Sequence, residues 1–464
     1  MTKYSRRIFC GDLLSPSSLA ASQRVGSSFS MLRNAAIVVE NGHISDIVNR
    51  NELPGDFLNN AQVVEFGPNQ LIVPGFVDTH IHYPQVRCIA MPGGALLPWL
   101  NESIYPEEIR YSDPEFAAQM AELFFQEVLR NGTTTVSAFC TIYDASVDAF
   151  FNEARKYNIR AIAGKVLMDR NVPVALMEDA ETSISSTRRL IERWHRNGRF
   201  GYAITPRFAP ACSNTLLEQV GRLLGDYQDV YFQTHLSENV GEIKLVGELF
   251  PEASDYTDVY RTYGLLTDRS VFAHAIHLSR HEIETLATHR CALAHCPHSN
   301  LYLGSGEFDF CSIKRTHPNL RIALGTDVAA GPSFSMLRTM GEAYKVAELR
   351  GQHISPERLM LLGTLDGAKA LNLDDKIGSI EVGKEADFAV LNLTPTPLLT
   401  AHHSLSRDIW DDLFSLMLTG DDRAIAATIV DGEIVYENRP AASMPARSRQ
   451  SRGSDSSSQG RECV

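Results

Sequence analysis

The 464-residue sequence contains no C-x-x-C pair; its eight cysteines stand apart at positions 10, 88, 140, 212, 291, 296, 311 and 463. That scatter gives neither a zinc ribbon nor a disulfide framework. No window approaches the roughly 18 uncharged apolar residues of a membrane-spanning helix, so no membrane association is expected. The opening stretch MTKYSRRIFCGDLLSPSSLAAS lacks a continuous apolar run, so a secretory leader is not expected and the cytoplasm is the default location. Cationic residues are scarce: 43 Lys and Arg face 56 Asp and Glu, for a net charge of −13. A chain that wraps nucleic acid needs a cationic face, so that class of partner is set aside.

What is present is ordinary for a globular protein, with 44% hydrophobic and 21% charged residues. The length suits a large α/β barrel plus a smaller domain. Residues 35–48 (AAIVVENGHISDIV) and 61–66 (AQVVEF) read as short strands, with Asn-Gly as a hairpin turn. Near the other end, IGSIEVGKEADFAVLNL and AATIVDGEIVYEN read alike. One small β domain built from both termini, residues 1–73 plus 376–439, is therefore expected. Between them, residues 74–375 alternate strands with longer helical stretches. The expected strands are 71–82, 132–139, 160–169, 202–210, 230–238, 270–278, 291–300 and 321–328. The segment 113–131 carries apolar residues at three- and four-residue intervals, as one buried helix face requires. Eight such units predict a (β/α)8 barrel, with an open doubly wound sheet as the alternative. The tail 440–464, rich in Ser and Arg, is expected to be disordered, its terminal ECV untethered rather than seated in a carboxylate-binding groove.

Residues 71–85, LIVPGFVDTHIHYPQ, place His80 and His82 one residue apart. Fifteen histidines give roughly half such a pair by chance, so the surroundings must decide. Residues two apart on a strand share a face, and the end of an apolar strand is the catalytic rim of a barrel. His235, His274 and Asp327 stand at the ends of three further expected strands. Imidazoles and a carboxylate gathered at one rim suit a borderline divalent ion such as zinc.

PGFVDTHIH, the later His, His and Asp, and GSIEVGKEADF at 378–388 resemble the amidohydrolase superfamily. The resemblance implies a distorted (β/α)8, TIM-like barrel with a β-sandwich built from both termini. It implies that His80, His82, His235 and Asp327 bind the metal, and that His274 contacts water or substrate. Binuclear members bridge two metals with a modified lysine on strand 4; YAITPRFAP has none, and Lys165 lies one strand earlier as a snorkelling or paired charge. One zinc ion per subunit is therefore expected, and mononuclear members are mostly deaminases.

Glu238, in THLSEN three residues after His235, is close enough to ferry protons between a bound water, a ring nitrogen and the leaving amine. Further stretches, LLPWLNESIYPEE (96–108), TPRFAPACSNTLL (205–217), HCPHSNLYLGSG (295–306), GTDVAAGPSFSML (325–337) and TGDDRAI (419–425), narrow the resemblance to members acting on a purine. Guanine is the expected substrate. Its O6 and N7 edge suits an arginine fork, and by resemblance Arg207 and Phe208 contact the ring while Gln85 bonds its polar edge. His82, His235, Glu238 and Asp327 complete the expected substrate contacts, with Glu238, His274 and Asp327 catalytic. From the sequence alone Arg207 could equally be an ion-pair partner, and Trp99 a pocket wall or a packing residue. His295 is expected to be buried and hydrogen-bonded, His298 structural or pocket-lining, and Cys296 a small buried hydrophobe. The alternatives are a pterin, adenosine-derivative or triazine deaminase, or a metal-free scaffold. The resemblance also implies a homodimer.

Overall fold

The structure, a computed structural model, describes residues 6–16, 23–26, 28–92 and 94–438. The expectation for the tail 440–464 lies outside the described residues.

Eight short, almost wholly buried strands form the expected barrel: Phe76–His82, Thr133–Phe139, Arg160–Gly164, Phe200–Pro206, Tyr231–Leu236, Ser270–His274, Ala292–His295 and Arg321–Leu324. They pair in parallel in that order. Their near-continuous apolar character is what a sheet covered on both faces requires. The eighth strand meets the first through Thr79 Oγ1 donating to the Leu324 carbonyl (2.9 Å) and Asp327 N–H donating to the His80 carbonyl (2.9 Å). The helices between strands are fixed locally. Pro114–Arg130 is opened by Asp113, whose side chain accepts from Glu115 N–H, and buries Ala117, Ala121, Phe124, Phe125 and Val128 along one face. Small residues such as Ala203, Ala273, Ala294 and Ala323 fill the barrel floor, packed against Leu371, Leu373 and Ile377.

A second, nine-stranded sheet is built from both ends of the chain. Its long central strands, Arg6–Ser15 and Phe29–Glu40, run antiparallel, and Phe388–Asn392 pairs antiparallel with Gln70–Pro74. Phe9, Leu13, Ile37, Ile72, Phe388 and Ile429 share its core. The hairpins at Asn41-Gly42 (φ 51° and 78°) and Asp431-Gly432 (φ 51° and 74°) take the left-handed turn their sequences favour.

Two expectations need correction. The run 71–82 is two strands: Gln70–Pro74 joins the terminal sheet and Phe76–His82 opens the barrel. The break is Gly75, where a Cβ would stand 2.1 Å from the Thr134 hydroxyl oxygen. The later strands are also shorter than expected at their carboxyl ends. The sixth stops at His274 and the eighth at Leu324, and Pro297–Tyr302 is already helical. His274, Ala275 and Asp327 take positive φ of 66°, 52° and 51°, which ends strand geometry where the side chains of the rim begin.

At the opposite end of the barrel, Arg160 and Arg199 reach Glu385 and Asp387 just before strand Phe388–Asn392. This buried cluster ties the barrel floor to the terminal sheet.

Candidate metal centre and ring pocket

His80 and His82 leave the end of the first strand, His235 the fifth, His274 the sixth, and Asp327 follows the eighth; all are at most 8% exposed. Below them lies Asp78, which accepts from His80 N–H (3.2 Å) and Thr326 N–H (3.0 Å) through one oxygen and from the Thr326 hydroxyl through the other. This carboxyl fixes the first strand against the segment that carries Asp327.

The five side chains meet. Asp327 Oδ1 stands 3.2 Å from both His80 Nε2 and His82 Nε2, and His82 Nε2 is 3.2 Å from His235 Nε2. Donor atoms of His80, His235, His274 and Asp327 also lie within 4.8 Å of one another. Donors about 2.1 Å from a tetrahedral ion stand roughly 3.4 Å apart, so these spacings fit one ion. The donor set fits as well. His235 Nδ1 must donate to the Arg207 carbonyl, 2.5 Å away, which leaves a bare lone pair on Nε2. Apart from its 3.2 Å approach to Asp327, His80 Nε2 is buried without a well-directed hydrogen bond among the described residues. Burial pushes His82 down to about 3, and holds His80 and His235 below the usual imidazole range. Burial would raise Asp327, but the His80 and His82 contacts outweigh it and hold the carboxyl well below its usual range. Neutral imidazoles around an ionised carboxylate are ligands in their binding form.

Glu238 stands on the other side of His274, whose Nε2 is 3.5 Å from Glu238 Oε2 and 3.8 Å from Asp327 Oδ2. His274 is held through Nδ1 by Asn300 Oδ1 at 2.9 Å. Burial and the Asp327 charge push Glu238 up to about 8, against the Ser305 hydrogen bond and Arg207. Its backbone is fixed by Glu242, which caps helix Val240–Leu249 and accepts from Glu238 N–H (3.0 Å) and the Tyr256 hydroxyl (2.7 Å).

These groups open onto a cavity lined by Gln85, Trp99, Arg207, Phe208, Glu238 and Leu303, among others. Apolar walls with a few convergent polar groups characterise a small-molecule site. The open question over Arg207 has a double answer: it lines the pocket and also donates through Nη1 to both oxygens of buried Glu108 (2.9 and 2.8 Å). Trp99 likewise lines the cavity, with its indole N–H buried and without a partner among the described residues. Lys165 is a paired charge, bonded to Asp144, Glu178 and Ser186. His295 is buried against the Phe308 ring (4.6 Å), and its Nδ1 has no hydrogen-bond partner among the described residues. His298 stands outside the pocket with Nε2 3.8 Å from Glu342, and Cys296 is buried as expected.

Asp78, Glu108, Asn300 and Ser305 escaped the sequence reading. All four fall inside stretches quoted above, so the signal was proximity to the readable motifs rather than any spacing of their own.

The amidohydrolase family model matches residues 71–435. A guanine deaminase of Escherichia coli is 49% identical over 368 residues, covering 79% of this chain and 83% of its own length. That of Mus musculus is 35% identical over 391 residues, covering 81% and 85%. Among solved structures, E. coli guanine deaminase superposes with a TM-score of 0.87 at 41% identity over 94% of this chain and all of its own. The C. acetobutylicum guanine deaminase with guanine bound in its active site gives 0.84 at 29% identity over 93% of this chain and all of its own.

Proposed function

The chain belongs to the amidohydrolase family, and from that premise we propose that it deaminates guanine hydrolytically, with water replacing the amine at C2 to leave xanthine and ammonia. The observation that carries the reading is one cluster: Glu238, His274 and Asp327 meet at the floor of a cavity whose polar wall is Arg207 and Gln85. His80, His82, His235 and Asp327 are the residues that would hold a single zinc ion per subunit, since His274 faces the carboxylates of both Glu238 and Asp327, where a water would stand. When bound, such an ion supplies the Lewis acidity that brings a water's pKa to roughly 7.

The chain's own groups do the rest. Asp327, ionised and beside the ligand histidines, accepts a proton from the attacking water. Burial and the Asp327 charge push Glu238 up to about 8, so its protonated form can donate first to ring N3 and then, once the proton that Asp327 took from the water has passed to it, to the departing amine. His274, anchored by Asn300, steadies the oxygen that adds to C2. The Arg207 fork suits O6 and N7, Gln85 offers an amide to the remaining polar edge, and Phe208 lies against the ring. The same reading takes the protein as a cytoplasmic homodimer, which light scattering and fractionation test. Among the described residues no helix is long and apolar enough to cross a membrane.

The test is ammonia release from guanine, isoxanthopterin, adenine and cytosine, with metal content measured on the same sample. Guanine is expected to be the preferred ring, with about one equivalent of zinc per chain. Preference for another ring replaces the substrate, and a folded, inactive, metal-free protein would support a scaffold instead.

A further inference from the structure

Glu108 is 1% exposed on the short helix Tyr105–Ile109 and does not line the cavity. It nevertheless touches both residues that form the cavity's polar wall. Arg207 Nη1 donates to both of its oxygens, and Gln85 Nε2 donates to Oε1 at 3.2 Å. Each contact removes a degree of freedom that matters for reading a ring.

The Gln85 amide is held at both ends: Nε2 on a carboxylate, which only accepts, and Oε1 on Ala329 N–H (3.3 Å), which only donates. These partners permit one sense of the amide and forbid the flipped one. Gln85 therefore presents a fixed order of donor and acceptor to the cavity. Arg207 is anchored by a single nitrogen, and neither Nη2 nor Nε bonds any described residue. The carboxylate thus neutralises the buried guanidinium while leaving its two-pronged edge open, over the Tyr105 ring at 5.2 Å.

We propose that Glu108 is the positioning residue that sets ring selectivity, fixing the amide sense of Gln85 and the open fork of Arg207 without touching the substrate itself. The inference rests on the guanine reading above. A purely structural role is the competing account, because a buried ion pair joining helix Tyr105–Ile109 to the strand-4 segment would also hold the fold together.

Selectivity separates the two. Guanine and 2-aminopurine, which lacks O6, are compared as substrates, or as competitive inhibitors where turnover is too slow. In Glu108→Gln the kcat/KM for guanine is expected to fall roughly 10- to 100-fold, mainly through KM, and that for 2-aminopurine about threefold or less. The guanine preference therefore collapses while zinc content is retained. Glu108→Asp keeps the counter-charge but withdraws it by a methylene, and should narrow the preference partway; it decides the matter if Glu108→Gln does not fold. Parallel losses on both rings in the variant that folds would overturn the inference and leave the guanine reading intact. A wild-type protein that releases no ammonia from guanine overturns that reading, and this inference with it.

Discussion

Two buried glutamates at opposite ends of the barrel have opposite electrostatic fates. Glu238, at the rim, is pushed up to about 8 by burial and by the Asp327 charge, against Arg207. Glu385, beneath the floor, is desolvated too, but Arg160 and Arg199 overcome that burial and hold it below the ordinary carboxyl range. Burial raises all of these carboxyls, and only where opposite charges outweigh it is the shift reversed, as at Glu385 but not at neighbouring Asp387. The floor is arranged so that each charge meets its opposite across two sheets. The rim instead gathers bare imidazole lone pairs around the Asp327 carboxylate, on backbone of positive φ at Ser237, His274 and Asp327, a donor set that a cation would satisfy. One end holds the molecule together, and the other carries chemistry that the first makes affordable.

Removing the ion should separate the ends most sharply. Chelation is expected to abolish guanine turnover, with recovery on adding zinc, and to lower the thermal midpoint, because an ion bound only by the folded state stabilises it. A chelated protein with unchanged turnover would end the metal reading. Next in size is Glu238→Gln, which keeps the shape but withholds the proton. We expect kcat to fall by about 10²- to 10⁴-fold, with zinc content and thermal midpoint preserved.

Arg199→Ala probes the floor. It leaves Asp387 without its cation and halves the cover of Glu385, so it should cost about 3–5 kcal/mol in urea unfolding while kcat per folded molecule stays the same. The pH dependence then distinguishes the ends by sign. A depressed carboxyl such as Glu385 contributes stability above its unfolded pKa that disappears as pH falls through its folded value. A raised one such as Glu238 contributes stability at pH below its unfolded value, lost as pH rises through about 8. Urea midpoints of the metal-free protein should therefore sag on both sides. Arg199→Ala is expected to flatten the acid limb and Glu238→Gln the decline between about pH 4.5 and about 8; the reverse pairing would contradict the comparison.

The barrel and the rim were legible because periodic burial and strand-end histidines are local signals. His80, His82, His235, His274, Glu238 and Asp327 each lie in or beside an apolar run that marks a strand. The residues that support them gave no such signal. Asp78 matters because it faces Thr326 across the closure of the ring, and Glu108 because it lies between Gln85 and Arg207, 23 and 99 residues away; only the fold brings these partners together. Gly75 was missed for the same reason: the strand-like run of twelve residues (71–82) looks continuous until the approach of Thr134 requires a residue without Cβ. The ion pairs of the floor, formed between strands of the barrel and a segment more than 180 residues later, are equally invisible in any window of sequence.

The smallest effect is expected at Trp99, whose role the sequence left open. Its ring lines the cavity at 4% exposure, and its indole N–H is buried without a partner among the described residues. A wall residue that serves only for packing gains nothing from such a donor, because a buried N–H left unbonded costs about 1–3 kcal/mol. A ring bearing acceptors regains that loss on binding. Trp99→Phe keeps an aromatic wall and deletes the donor, so KM for guanine should rise about two- to tenfold, the worth of one neutral hydrogen bond, with kcat unchanged and the thermal midpoint equal or slightly higher. A lower midpoint with unaltered KM would instead place Trp99 with the packing residues of the rim, and would leave Arg207 and Gln85 to read the ring alone.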